Sequence, residues 1–352
     1  MKTGSSVKNR LNVSLNNLFI FYLIISLSFL SCTSNNNELI SISGSTMGTT
    51  YSIKIVESPN TLNLHSLKSK IDSVLVEVNQ QMSTYIKDSE LSLFNTESDT
   101  NWKEVSTSLS LLMNDAKEIS EETKNYYDIT VGPMVNLWGF GPELIPTKIP
   151  SDDEINQSRE RIGIDKLLID KNSSRIKKRI PNLYCDLSSI AKGHGVDKVS
   201  LFLEKIGQSN YMVEIGGEVR AKGKNNRNEK WKIGISTPLG VGLQKVISIT
   251  NVSVATSGDY LNYFEKDGIR YSHLINTKTG KPIIHNLASV TVLHKECSFA
   301  DAYATAINVM GPDEGFEFAL EKKLPVFMIV RKGENFMEKM TPQFKEYIEE
   351  GK

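Results

Sequence analysis

Apolar residues recur at Leu67, Ile71, Val74, Leu75, Val78 and Met82 with the three-and-four spacing that lines one face of a helix. The same spacing returns at Leu109, Leu112, Met113, Ala116 and Ile119. Elsewhere the period falls to two. Residues 51–56, 231–236 and 288–293 alternate β-branched or aromatic side chains with polar ones, the pattern of half-buried strands. Shorter strand signals lie at 166–170, 175–180, 183–186, 211–215, 218–222 and 325–330. An apolar strand over 127–132 is interrupted by Asp128 and Thr130, which need partners if buried. Helices are predicted over 189–206, with Ser188 or Ser189 as cap, over 299–310, stopped by Gly311-Pro312, and over 314–322. Residues 132–150 hold four prolines and three glycines, yet Trp138 and Phe140 point to a packed or ligand-facing loop rather than a linker.

Strands outnumber helices and often follow one another directly. The expectation is therefore an α+β fold, one large domain with mixed, largely antiparallel sheets flanked by helices. No G-x-G-x-x-G follows a strand and there is no P-loop, so a dinucleotide would have to be bound by another architecture.

The 352 residues carry 41 Lys+Arg and 41 Asp+Glu, which gives no electrostatic case for nucleic acid. The charge is unevenly placed. Lys2, Lys8 and Arg10 precede a stretch with no charge until Glu38, and inside it Leu18 to Leu30 is apolar except for Ser26 and Ser28. That run is short for a membrane-spanning helix and fits an export signal. Phe29-Leu-Ser-Cys32 resembles the lipobox of bacterial lipoproteins, with Phe29 where an aliphatic residue is usual. On this reading residues 1–31 are a signal peptide, Cys32 is the lipidated first residue, 32–42 are a polar tether and 43–350 form the domain. The alternative is an uncleaved signal anchor. Thr33 after Cys32 favours an outer over an inner membrane, with the domain facing the periplasm. Cys185 and Cys297 form no C-x-x-C pair and no histidines stand at H-x-x-x-H spacing, so zinc is not expected. Those two cysteines could pair in an oxidising compartment, but read better as two small buried residues.

Several clusters place polar or glycine residues where an ordinary strand or helix would not. Gly44-Ser-Thr-Met-Gly-Thr-Thr-Tyr51, on its own, reads as a loop. Tyr85 closes Met82-Ser-Thr-Tyr and could stack on an aromatic ligand or cap the core. Asp186-Leu-Ser-Ser-Ile-Ala-Lys-Gly-His-Gly195 opens a helix with Lys192 in its first turn, a setting that favours phosphate, and its glycines suggest close ligand approach. Glu214-Ile-Gly-Gly-Glu218 breaks a strand. His273 sits in a strand beside a turn, and a lone histidine is more often structural than catalytic. Asp301 and Thr305 are four apart in an Ala-rich helix and so share a face, a carboxylate and a hydroxyl suited to Mg²⁺.

Taken together and in this order, these clusters resemble the ApbE family, the FAD:protein FMN transferases. The resemblance is carried by Thr46-Met-Gly-Thr49, Met82-Ser-Thr-Tyr85, Asp128-Ile-Thr-Val-Gly-Pro133, Asn136-Leu-Trp-Gly-Phe-Gly141 and Asp186-Leu-Ser-Ser-Ile-Ala-Lys-Gly193. Gly216-Gly217, Thr256-Ser-Gly-Asp-Tyr260, the Ser272-His273 block and Ala300-Asp-Ala-Tyr-Ala-Thr305 complete it. It implies Mg²⁺-dependent transfer of the FMN half of FAD to a Thr or Ser hydroxyl of an exported or membrane-bound acceptor protein, with release of AMP. It further implies that Met47, Tyr85, Tyr127, Asp128, Ile129, Thr130, Asp186, Lys192 and Ile275 line the FAD site. Ser189, Asp301 and Thr305 would hold the metal, and His273 would be the base. Three departures stand out: Asn276 replaces the usual Asp near the base, Thr277 replaces Pro, and Tyr260 is followed by Leu261-Asn262 where a basic residue is frequent. Competing readings are a Mg²⁺-dependent FAD pyrophosphatase using the same site, and a flavin-binding lipoprotein without turnover.

Overall fold

Thr46 and Thr49 pair across a turn made by Met47 and Gly48 alone, and both turn residues have positive φ (51° and 69°). This is the geometry of a tight hairpin matched to strand twist. The segment that reads as a loop in the sequence therefore joins two strands. The computed structural model describes residues 38–57, 63–142, 149–239, 242–259 and 262–348. Eight of its strands form one sheet: β1 (Glu38–Thr46), β2 (Thr49–Glu57), β3 (Tyr211–Ile215), β4 (Glu218–Lys222), β5 (Val252–Gly258), β6 (Leu287–His294), β7 (Val326–Lys332) and β8 (Asn335–Met340). They lie side by side in that order, and every neighbouring pair is antiparallel. Long insertions between strands carry the helices.

Four of those helices build the ground beneath the site: α1 (Leu64–Met82), α2 (Thr107–Glu122), α3 (Ala191–Lys205) and α4 (Cys297–Met310). The apolar stripe of α1 meets Val196, Val199 and Leu203 of α3 and the inward residues of β2 and β3, including Ile53, Ile55 and Val213. Leu109, Leu112 and Met113 of α2 pack with Ala302 and Ala306 of α4 and with Val290, Val292, Met328 and Val330. The alternate residues Leu293, Phe327 and Ile329 belong to a separate core with Trp231, Ile247 and Phe344. There a two-stranded sheet, Trp231–Ser236 with Leu243–Ile249, contributes its apolar side chains. The period-two pattern thus feeds two cores from one set of strands.

The α+β expectation holds, and the differences from the sequence reading are local. Residues 127–132 do not form a strand. Ile129–Val131 is a 3₁₀ turn running into a helix at Gly132–Leu137, because Asp128 captures its own downstream backbone: Oδ1 accepts from the Thr130 amide (2.8 Å) and hydroxyl (2.7 Å), and Oδ2 accepts from the Ile164 amide (3.0 Å). Residues 183–186 are also not a strand. Asn95 stands in for a neighbour, exchanging bonds of 2.8 Å with both the carbonyl and the amide of Cys185. Helix α3 starts at Ala191, two residues later than expected, and neither Ser188 nor Ser189 caps it. The first strand begins at Glu38, inside the stretch assigned to the tether, with Ile40 and Ile42 opposite Ile55 and Ile53. Cys185 and Cys297 are buried and free. Cys32 and the proposed signal lie outside the described residues, as do 143–148 of the Pro-rich segment and Tyr260.

Candidate active site

The N-terminus of α3 meets the first turns of α4 at a backbone-to-backbone distance that only glycine permits. A Cβ on Gly193 would lie 2.4 Å from the carbonyl oxygen of Cys297 and 2.7 Å from the Cα of Ser298. Gly195 similarly leaves room for Met47. Gly193 is therefore required by the packing of α3 against the backbone of α4, and Gly195 lies against the end of the Met47 side chain, which borders the cavity described below. The consequence is chemical. The close crossing brings Asp301 of α4 to the start of α3, where its Oδ2 accepts from the Gly193 amide at 3.1 Å, while Lys192 Nζ lies 3.9 Å from Oδ1.

Lys192 is shared. Its Nζ donates to Glu218 Oε1 at 2.6 Å, and Glu218 is delivered by the Gly216-Gly217 turn between β3 and β4, where the φ of 102° at Gly217 favours glycine and a Cβ on Gly216 would lie 2.8 Å from Thr49. Glu218 is 2% exposed, and its Oε2 has no hydrogen-bond partner among the described residues. Two buried carboxylates thus face one ammonium group. Burial pushes the carboxyls of Asp301 and Glu218 above their usual range, and their mutual repulsion raises Glu218 further. Burial would by itself lower Lys192, but Asp301 and Glu218 outweigh it and hold the lysine protonated. The sequence marks Glu218 only as the acid after paired glycines, since its nearness to Lys192 comes from strand pairing.

A cavity of about 400 Å³ is lined by Asp301, Thr305, Lys192 and Glu218 together with Tyr85, Tyr127, Asp128, Asp186, Ser189, His273 and Ile275. It adjoins a second of about 710 Å³ lined by Met47, Val78, Met82 and Ile86, and Tyr85, Asp186, Ser188, Lys192 and Asn262 border both. Tyr85 is 70% exposed, held in a turn in which Ser83 Oγ accepts from the Tyr85 and Ile86 amides. Asp186 accepts from the Ser188 amide, and Ser189 donates to the Tyr127 hydroxyl at 3.3 Å. Two positions are not in the lining. Ile129 and Thr130 are buried beneath it, and the Thr130 hydroxyl is occupied by Asp128 and the Gly163 amide. His194, from the same motif as Lys192, also lies apart and bonds Ser108 at 3.0 Å.

His273 follows a hairpin of Tyr263–Lys266 and Ile269–Ser272. Its Nδ1 lies 2.9 Å from the backbone carbonyl of Asn262, which also accepts from the His273 amide at 3.1 Å. A carbonyl can only accept, so Nδ1 carries the proton and Nε2 keeps its lone pair. Phe140 meets the ring edge-on at 6.3 Å between centroids. Burial lowers the His273 pKa, partly offset by the Asn262 bond and by Asp259. Asn276 is occupied in its own turn. Its Oδ1 accepts from the Lys278 (2.9 Å) and Thr279 (3.3 Å) amides and so shapes the following turn.

The donor set around Asp301 suits a hard divalent cation that keeps part of its coordination for water or phosphate: a buried carboxylate, a hydroxyl one helical turn away and an unpartnered carboxylate oxygen on Glu218.

A model of the ApbE family matches residues 47–328. The chain is 46% identical over 313 residues to an FAD:protein FMN transferase of Vibrio cholerae serotype O1, covering 88% of this chain and 93% of that one. A Haemophilus influenzae protein of the same name is 42% identical, covering 94% and 97%. Among solved structures, the flavin transferase ApbE from Vibrio cholerae superposes with a TM-score of 0.82 at 44% identity, covering 89% of this chain and all of that one. The apo flavinyl transferase ApbE of Pseudomonas stutzeri gives 0.83 at 35% identity, covering 90% and 98%.

Proposed function

The chain belongs to the ApbE family, and on that membership and the shared cavity we propose that it is an FAD:protein FMN transferase, moving the FMN half of FAD to a Thr or Ser hydroxyl of an acceptor protein and releasing AMP. The observation that carries this reading is the single cavity in which Lys192, Asp301, Thr305 and His273 meet Tyr85, Tyr127 and Asp186. Exposed Tyr85 and the apolar wall of Met47, Val78 and Met82 offer stacking and burial to planar rings. Lys192 at the start of α3 offers positive charge to a diphosphate.

In the reaction the acceptor oxygen forms a bond to the phosphorus of the FMN half, and the bond from that phosphorus to the bridging oxygen breaks. The electron pair leaves with AMP. The hydroxyl proton passes to Nε2 of His273, which the Asn262 carbonyl keeps free to take it. Lys192 offsets charge that grows on the phosphoryl oxygens. Mg²⁺ held by Asp301 and Thr305, with Ser189 nearby, would supply the remaining charge compensation. Export fits such a role, with Cys32 lipidated and the domain facing the periplasm, at the outer membrane in preference to the inner.

The test incubates the protein with FAD and Mg²⁺, with and without coexpressed candidate acceptors. The expected result is an acceptor mass increase equal to FMN, with AMP released only in step with it. Release of free FMN and AMP irrespective of acceptor would instead identify a pyrophosphatase.

A further inference from the structure

Asp259 stands one residue beyond β5 and three before Asn262, whose carbonyl holds the His273 ring. Its carboxylate is 8% exposed and is gripped at both oxygens by Arg331 of β7, with Nη1 to Oδ2 at 3.0 Å and Nη2 to Oδ1. Its backbone carbonyl accepts from Arg270, on the hairpin strand that ends immediately before His273. Arg270 in turn lies over the Tyr263 ring at 3.8 Å, on the opposite hairpin strand. The Asp259 amide donates to the Ala288 carbonyl at 3.1 Å, and the Arg331 amide donates to the Asn286 carbonyl at 2.8 Å, so both partners are fixed to the main sheet.

We propose that Asp259, through Arg331 and Arg270, is a positioning residue that holds the Asn262 carbonyl and the His273 ring in register and thereby sets the histidine tautomer. The carbonyl and the ring come from separate segments, and Asp259 lies between them: it precedes Asn262 by three residues in the chain, and its backbone carbonyl accepts from Arg270 of the hairpin that leads to His273. Three residues of chain span no more than about 11 Å, so an anchored Asp259 restricts where the carbonyl can go. A bidentate carboxylate–guanidinium pair fixes orientation as well as position, which a single bond would not. Among the described residues no carboxylate bonds the ring, and Asn276 is engaged in its own turn. The role usually given to an acid beside a base is here exercised at a distance, through a carbonyl.

The inference rests on His273 being the base, and the test separates the two. Imidazole ¹⁵N–¹H correlation spectra of histidine-labelled full-length protein report the tautomer directly, with His273→Asn identifying the resonance. Wild type is expected to show a protonated Nδ1 and a bare Nε2. In Asp259→Asn, a mixture of tautomers is expected, with flavin transfer reduced about 10–100-fold and FAD affinity unchanged within about threefold. Arg331→Lys, which can still meet one carboxylate oxygen, should retain more transfer than Arg331→Met. A pure wild-type tautomer and near-normal transfer in folded Asp259→Asn would overturn the proposal. If that variant does not fold, the same outcome in both Arg331 variants would do so. Normal transfer by His273→Asn would refute the base assignment alone, while the tautomer readout would still decide the clamp.

Discussion

Asp197 and Asp301 each cap the helix to which the other belongs. From α3, Asp197 accepts from the Cys297 and Ser298 amides that open α4, both at 3.0 Å, and from α4 Asp301 accepts from the Gly193 amide that opens α3. Each thus satisfies amides left without partners in a helix's first turn. The two carboxylates differ in what else they face. Asp197 is paired with Arg220 at 2.7 Å, whereas the other oxygen of Asp301 turns toward Lys192 and the cavity. One crossing therefore carries an acid held in an ion pair and an acid that faces the cavity.

The difference predicts separable phenotypes. Asp301→Ala would remove a cap as well as the proposed metal ligand, so Asp301→Asn is the cleaner variant, since its amide oxygen still accepts from Gly193. It should keep the melting temperature within a few degrees yet lose Mg²⁺-dependent transfer and the stabilisation that Mg²⁺ alone confers on the wild type. Thermal scans with and without Mg²⁺, beside a flavinylation assay, check this. Thr305→Val should show the same loss in weaker form, because a neutral hydroxyl binds a cation less strongly. Undiminished transfer in Asp301→Asn would remove Asp301 from the metal site.

Asp197→Ala should behave oppositely. It strips two amide caps and leaves Arg220 with Glu204 at 3.4 Å. Loss of a largely buried pair member and a cap is expected to cost about 3 kcal/mol or more in stability, read from urea unfolding. FAD affinity of the folded fraction should stay within a few-fold. A stability change under about 1 kcal/mol would show that the caps are redundant.

The pH dependence of transfer follows from the sign of the His273 shift. Burial lowers its pKa from 6.5, the Asn262 carbonyl and Asp259 oppose that, and Lys192 adds to it. The neutral ring therefore persists below pH 6.5 and protonates only further down. Transfer should be flat from pH 8 to about 6.5 and fall on the acid side beyond it. Stability has the matching sign: below 6.5 the unfolded chain takes up a proton that the folded ring refuses, so this contribution is lost as pH falls toward the folded pKa. His273→Asn should cut transfer by about 10² or more and abolish the acid limb, while leaving FAD binding within a few-fold. An acid limb at or above 6.5 in the wild type would contradict the burial argument.

For the anchor, Cys32→Ser should yield uncleaved or soluble protein, because lipidation needs the thiol. Detergent partitioning and intact mass measured on both forms decide it, and identical behaviour would favour a plain signal anchor.

The sequence by itself determined the elements whose periodicity is long or strict. The stripe on α1, the stripe on α2 and the alternation at 231–236 and 288–293 appear where local spacing places them, because burial of a repeating face leaves little choice of conformation. Asp301 and Thr305 sharing a face is likewise a property of one helix. Local pattern failed where side chains compete with the backbone. Asp128 closes a 3₁₀ turn on an apolar stretch, and Asn95 replaces a strand neighbour for Cys185 from 90 residues away. What only the tertiary structure decided are the pairings between distant segments. Glu218 reaches Lys192 because β3 and β4 meet in a two-glycine turn beside α3, and Asn262 reaches His273 across a hairpin. The purpose of Gly193 is invisible until α4 is seen lying against it. Periodicity constrains a residue's face within its own element, but which faces meet depends on how the sheet orders its strands, and no local spacing encodes that order.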